Sequence, residues 1–191
     1  MSRQSIQGRD VASGESLEVV VEDGIVQAIV PALTGEEWWL SPGFIDLQVN
    51  GYCGRDLNAE SLTPEMVIAL ARQLAALGVT TFLPTLITAA EERLVAALRV
   101  IAAARRISAL AEHMIPFVHV EGPHISPTDG PRGAHPQAHV RPPDSDEFER
   151  WHAASDGLVG QVTVSPHWDG ALDYIRCVRP TPWLMDPADG G

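Results

Sequence analysis

Hydrophobic and polar positions divide the chain into two parts. Residues 1–41 carry short β-rich runs. Leu17–Val21 and Ile25–Val30 alternate around Glu22-Asp23-Gly24, which predicts a hairpin of a small β domain. From Ser41-Pro42-Gly43 onward the pattern repeats. Apolar strand-like runs occupy Gly43–Asn50, Val79–Leu86, Ile115–Glu121 and Leu158–Ser165, with starts 36, 36 and 43 residues apart. Helical spacing fills the intervals. Thr63-Pro64 offers an N-cap and a proline in the first turn, Met66, Val67, Leu70, Leu74 and Leu77 share one face, and Gly78 suits the C-terminal end. Thr88-Ala89-Ala90-Glu91 has the form of a capping box ahead of Leu94, Leu98, Ile101 and Arg105. Asp144 or Ser145 can start a helix through Phe148 and Trp151, and a further helix runs from near Asp169 through Leu172, Tyr174 and Ile175.

Strands alternating with helices predict βαβ units and a parallel sheet. A period of this size suits a closed (β/α)₈ barrel or an open doubly wound sheet. No GxGxxG motif or P-loop is present, which lowers the weight of a nucleotide-binding open sheet. Val178–Gly191 breaks the pattern, with three prolines and a Gly-Gly end. The expected divisions are a partial small β domain over 1–41, a βα region over 42–177 and an atypical tail over 178–191.

Composition narrows the function classes. The chain has 191 residues, is 45% hydrophobic and carries a formal charge of −12, and every basic residue is arginine. An acidic chain without a basic cluster argues against nucleic-acid binding. No apolar run has the length of a membrane span, and Met1–Asp10 lacks a signal-peptide core. Cys53 and Cys177 form no CxxC. The expectation is a cytoplasmic protein that does not engage membranes or nucleic acid. The length falls short of the ~250 residues of a full (β/α)₈ barrel.

Candidate chemistry gathers at the ends of the predicted strands. Asp46, Gln48 and Asn50 share a face of the first barrel-type strand. The apolar pattern predicts that strand to be buried, and buried polar groups need partners. A hydrogen-bonded turn into Gly51 meets that need as well as a functional site would. His119 and Glu121 share a face of the third run, and a carboxylate ending an apolar strand calls for a metal or an arginine. Metal is the favoured reading. Gly122–Arg141 is long and glycine-bearing and holds His124, His135 and His139, the kind of loop that carries function.

Pro42–Gly51, Gly78–Thr88 and His119-Val120-Glu121-Gly122-Pro123-His124-Ile125-Ser126 with Gly133-Ala134-His135-Pro136 resemble, in order and spacing, motifs of the N-acetylglucosamine-6-phosphate deacetylases of the amidohydrolase superfamily. The resemblance runs from about Ser41 to Ser165. It implies the first four βα units of a (β/α)₈ TIM-like barrel, preceded by part of a small β-sandwich domain. It implies hydrolysis of N-acetylglucosamine 6-phosphate to glucosamine 6-phosphate and acetate, with one divalent metal per site, Zn²⁺ or Fe²⁺, activating water. Glu121 would be a metal ligand. Gln48 and Asn50 stand in place of the superfamily's first ligand pair as a vestigial subsite, since neutral amides bind Zn²⁺ less well than imidazoles. His135 would contact the acetamido group. The family's later histidine ligands and catalytic aspartate have no counterpart here, and homo-oligomers are expected of full-length relatives. The chain is therefore expected to be inactive or impaired alone. The alternatives are a truncated or frameshifted non-catalytic fragment and a self-associating half-barrel.

Overall fold

A computed structural model describes residues 2–32 and 38–178, and the proline-rich segment 179–191 lies outside them. The chain divides into two units, Met1–Gly43 and Phe44–Gly191. The first holds β1 (Arg3–Asp10), β2 (Ser16–Glu22), β3 (Ile25–Pro31) and β4 (Trp39–Leu40). They form a sheet of order β3-β2-β1-β4. β1 pairs antiparallel with β2, and β2 with β3. The predicted hairpin closes on two residues, Asp23 (φ 49°) and Gly24 (φ 82°). Positive φ at both positions gives a turn whose twist matches the strands. β1 has no counterpart among the predicted apolar runs. Its residues are mostly polar and mostly exposed, and its place comes from backbone pairing with β2.

The second unit begins with β5 (Phe44–Val49), followed by a small hairpin of β6 (Gly51–Tyr52) and β7 (Arg55–Asp56). Then come α1 (Pro64–Ala76), β8 (Val79–Ile87), α2 (Glu91–Ile107), α3 (Ala109–Met114), β9 (Val118–Glu121), α4 (Ser145–Ala154), β10 (Val159–Thr163) and α5 (Ala171–Val178). β5, β8, β9 and β10 form one parallel four-stranded sheet in chain order. Val67, Leu70 and Leu74 of α1 and Leu94, Leu98 and Ile101 of α2 are buried in one core with Phe82, Val118, Val120 and Trp151.

Four local expectations change. β5 is an edge strand, so Phe44, Ile45 and Leu47 are exposed and only Val49 is buried, which corrects the buried strand read from the sequence. Leu77 is also exposed, because α1 has ended before it and the chain turns at Gly78 (φ 86°). α3 has no counterpart in the sequence pattern; Ser108 Oγ caps it by accepting from Ala111 N–H. The capping box at Thr88 does not form. The N-cap of α2 is Ala90, which has no side-chain cap. An alanine there forgoes about 1 kcal/mol. By contrast, Thr63 Oγ1 accepts from Met66 N–H and Asp144 from Asp146 N–H, as their positions predict.

Candidate functional site

Parallel strands bring their carboxyl ends to one edge of the sheet, where ligands of α/β folds bind. Here β5 delivers Gln48 and Asn50, β8 delivers Thr85 and Thr88, and β9 delivers His119 and Glu121. Gln48 Nε2 donates to Glu121 Oε2 at 3.1 Å. Thus the half-buried Glu121 meets an amide of the first strand in place of an arginine. Asn50 Nδ2 donates to Thr85 O at 3.3 Å, and Asn58 Nδ2 shares that carbonyl at 3.1 Å. Asn50 therefore ties strand to strand. Asp46 Oδ1 accepts from Gln48 N–H at 3.1 Å, a local turn-type bond.

His119 is buried and its Nε2 lies 2.8 Å from Thr163 Oγ1. Burial lowers its pKa below the usual imidazole value, and the Glu121 charge opposes that shift. His135 comes from the long loop. Arg132 Nη1 holds its carbonyl at 2.8 Å, and its Nδ1 lies 2.9 Å from Thr88 Oγ1. Thr88 Oγ1 also lies 3.4 Å from Glu121 O. Thr88 thus stands between the two residues singled out in sequence, although its sequence signal points to a helix cap.

The loop itself is anchored by Arg141. Its N–H donates to Pro123 O, its Nη1 to Ala89 O at 3.0 Å and His139 O at 2.8 Å, and its Nε to Glu147 Oε2 at 3.0 Å. His124 belongs to the interior. It stacks on Trp151 with ring centroids 5.4 Å apart and meets Tyr174 edge-on. Burial lowers its pKa and raises that of Tyr174. A cavity of about 500 Å³ is lined by Asn58, Thr88, Arg93 and His139, with neither Glu121 nor His135 on its wall.

No family model matches the chain. N-acetylglucosamine-6-phosphate deacetylase of Bos taurus is 38% identical over 144 residues, covering 73% of this chain and 34% of that protein. N-acetylgalactosamine-6-phosphate deacetylase of Escherichia coli O157:H7 is 30% identical over 163 residues, covering 83% of this chain and 42% of the relative. Among solved structures, the N-acetyl-D-glucosamine-6-phosphate deacetylase of Mycobacterium smegmatis, in complex with N-acetyl-D-glucosamine-6-phosphate, superposes with a TM-score of 0.77 at 26% identity, over 94% of this chain and 48% of that one. The chain is a homologue of the N-acetylglucosamine-6-phosphate deacetylases.

This deacetylase homologue spans about a third to two fifths of the length of those curated relatives. Its described residues contain no group of three or more His, Cys, Asp or Glu side chains suited to a metal ion. Glu121 brings one carboxylate and Gln48 and Asn50 bring neutral amides. By themselves these do not fit a divalent-metal site, which needs about four ligands of better donor strength. Among the described residues no helix is long and apolar enough to cross a membrane.

Proposed function

We propose that this chain forms the first part of the active site of an N-acetylated amino-sugar 6-phosphate deacetylase, built on the first four βα units of a (β/α)₈ barrel that follow part of a small β domain in sequence. The reaction read for the complete enzyme is hydrolysis of the N-acetyl group of N-acetylglucosamine 6-phosphate, giving acetate and glucosamine 6-phosphate. In this reading Glu121 supplies one ligand of the divalent metal, Zn²⁺ or Fe²⁺, and the remaining ligands lie outside the described residues. Gln48 and Asn50 mark a subsite that no longer ligates, and His135 contacts the acetamido group.

The observation that carries the proposal is the convergence at one sheet edge. Gln48 bonds Glu121 from a strand two places away, and Thr88, at the carboxyl end of the strand between them, pairs with His135 of the long loop. Residues so far apart in sequence have no local reason to meet. The single carboxylate ligand favours a low or absent turnover for the 191-residue chain alone. Relatives named for glucosamine and for galactosamine derivatives leave the sugar's C4 configuration as the fine point.

The test is direct. Acetate release from N-acetylglucosamine 6-phosphate is measured with the purified chain and Zn²⁺, alongside substrate binding by ligand-observed NMR. Binding that weakens in His135→Ala, with little or no acetate, is expected. The absence of both binding and acetate release overturns the reading.

A further inference from the structure

We infer that Thr88 is a positioning residue: its hydroxyl fixes His135 as the tautomer with its proton on Nε2, making His135 a hydrogen-bond donor toward the acyl oxygen of an N-acetylated ligand. The choice of ligand rests on the functional reading above, whereas the tautomer rests on the geometry alone.

Thr88 is buried, with 2% of its surface exposed, and its hydroxyl has one proton to give. Two acceptors lie near it, His135 Nδ1 at 2.9 Å and Glu121 O at 3.4 Å. An effective O–H···O bond ends at about 3.0 Å, so the carbonyl is a poor acceptor at that distance. A ring nitrogen is also the more basic partner. The proton therefore goes to Nδ1, which must then be the unprotonated nitrogen of a neutral ring, and Nε2 carries the hydrogen. Nε2 makes no hydrogen bond among the described residues and is left for a ligand. The opposite tautomer would leave a buried hydroxyl proton with only the long contact.

Two further features hold the hydroxyl in place. Gly122 supplies the space: a β-carbon there would stand 2.0 Å from Thr88 Oγ1. The second is that α2 leaves this threonine uncommitted, because its N-cap falls at Ala90. Arg132 fixes the His135 backbone from the other side. Orientation of an active histidine by a neighbour on its other nitrogen follows the same logic as the partners that orient metal-bound histidines.

The experiment uses the full chain labelled with ¹⁵N-histidine, above the pH at which imidazole is charged. Two-bond ¹⁵N–¹H correlations report the tautomer, and His135→Gln assigns the signal. Expected are the Nε2–H pattern in the native chain, its retention in Thr88→Ser, and its loss to a tautomer mixture in Thr88→Val. A native ring protonated on Nδ1 overturns the proposal, as does an unchanged pattern in a folded Thr88→Val. If that variant does not fold, Thr88→Ala takes its place, with a shift toward a tautomer mixture expected and an unchanged pattern overturning the proposal. Failure of acetate release leaves these spectra untouched, so the two readings fail separately.

Discussion

Arg141 and Glu147 form an ion pair that joins the end of the long loop to α4, with the Glu147 side chain only 3% exposed and Arg141 at 28%. Arg141 Nε reaches both carboxylate oxygens, at 3.0 and 3.2 Å. Its Nη1 meanwhile satisfies the carbonyls of Ala89 and His139. Removing the guanidinium leaves a buried carboxylate and two carbonyls without donors. Arg141→Ala is expected to lower stability by about 3 kcal/mol, the lower end for a broken buried pair because the arginine is partly solvated. Urea denaturation checks this. Glu147→Gln, which keeps an acceptor, should cost less.

Gly122 follows Glu121 with φ of 86°. Alanine there would be strained in its backbone and would press on Thr88 Oγ1. Gly122→Ala is expected to lose about 1–3 kcal/mol from the backbone alone. It should also disturb the His135 ring signals, because Thr88 must move. Gly130→Ala is the control: its φ is also positive, but nothing lies within 4 Å of its added β-carbon. It should destabilise without altering His135.

Acid should destabilise the fold before carboxylates titrate. His119 and His124 both have pKa values lowered by burial. The unfolded chain therefore binds more protons than the folded chain below about pH 6.5, and stability falls as pH drops through that value. The loss ends once pH passes the folded values. The melting temperature is expected to decline between about pH 7.5 and about pH 5, a window that brackets the unperturbed histidine value. His124→Phe retains the aromatic packing on Trp151 and Tyr174 and removes one titrating ring. Its melting temperature should show a shallower pH slope, with His119 supplying the rest.

Gln48 donates to Glu121 and does not compete for a cation. Gln48→Glu would set two carboxylates together at a position now bridged at 3.1 Å. Without metal it should destabilise by about 1 kcal/mol or less, since Gln48 is exposed. It should also give a larger rise in melting temperature on adding Zn²⁺ than the native chain shows. Equal metal responses in the two proteins would count against Glu121 as a ligand position.

Strand and helix placement is largely legible because the core imposes a period. Val67, Leu70 and Leu74 are buried at the spacing that sequence gives them, and the runs from Gly43, Val79, Ile115 and Leu158 all contain strands. The polar β1 is not legible, since pairing with β2 uses backbone groups that any side chain carries. The role of Thr88 is hidden for a related reason. A threonine three residues before a glutamate fits a helix cap, and the local pattern contains nothing about a histidine 47 residues away.

The sequence by itself determined the alternation of strands and helices and the turn at Asp23-Gly24; it offered Glu121 as the carboxylate ending an apolar run, and His135 only through family resemblance. Those follow from local propensity, hydrophobic period and motif order. Tertiary structure decided that β5 is an edge, that Gln48 meets Glu121, and that Thr88 serves His135 rather than α2. Each of these depends on which strand ends lie side by side in a parallel sheet. Such adjacency arises from packing distant segments into one core, so no local stretch of the chain encodes it alone.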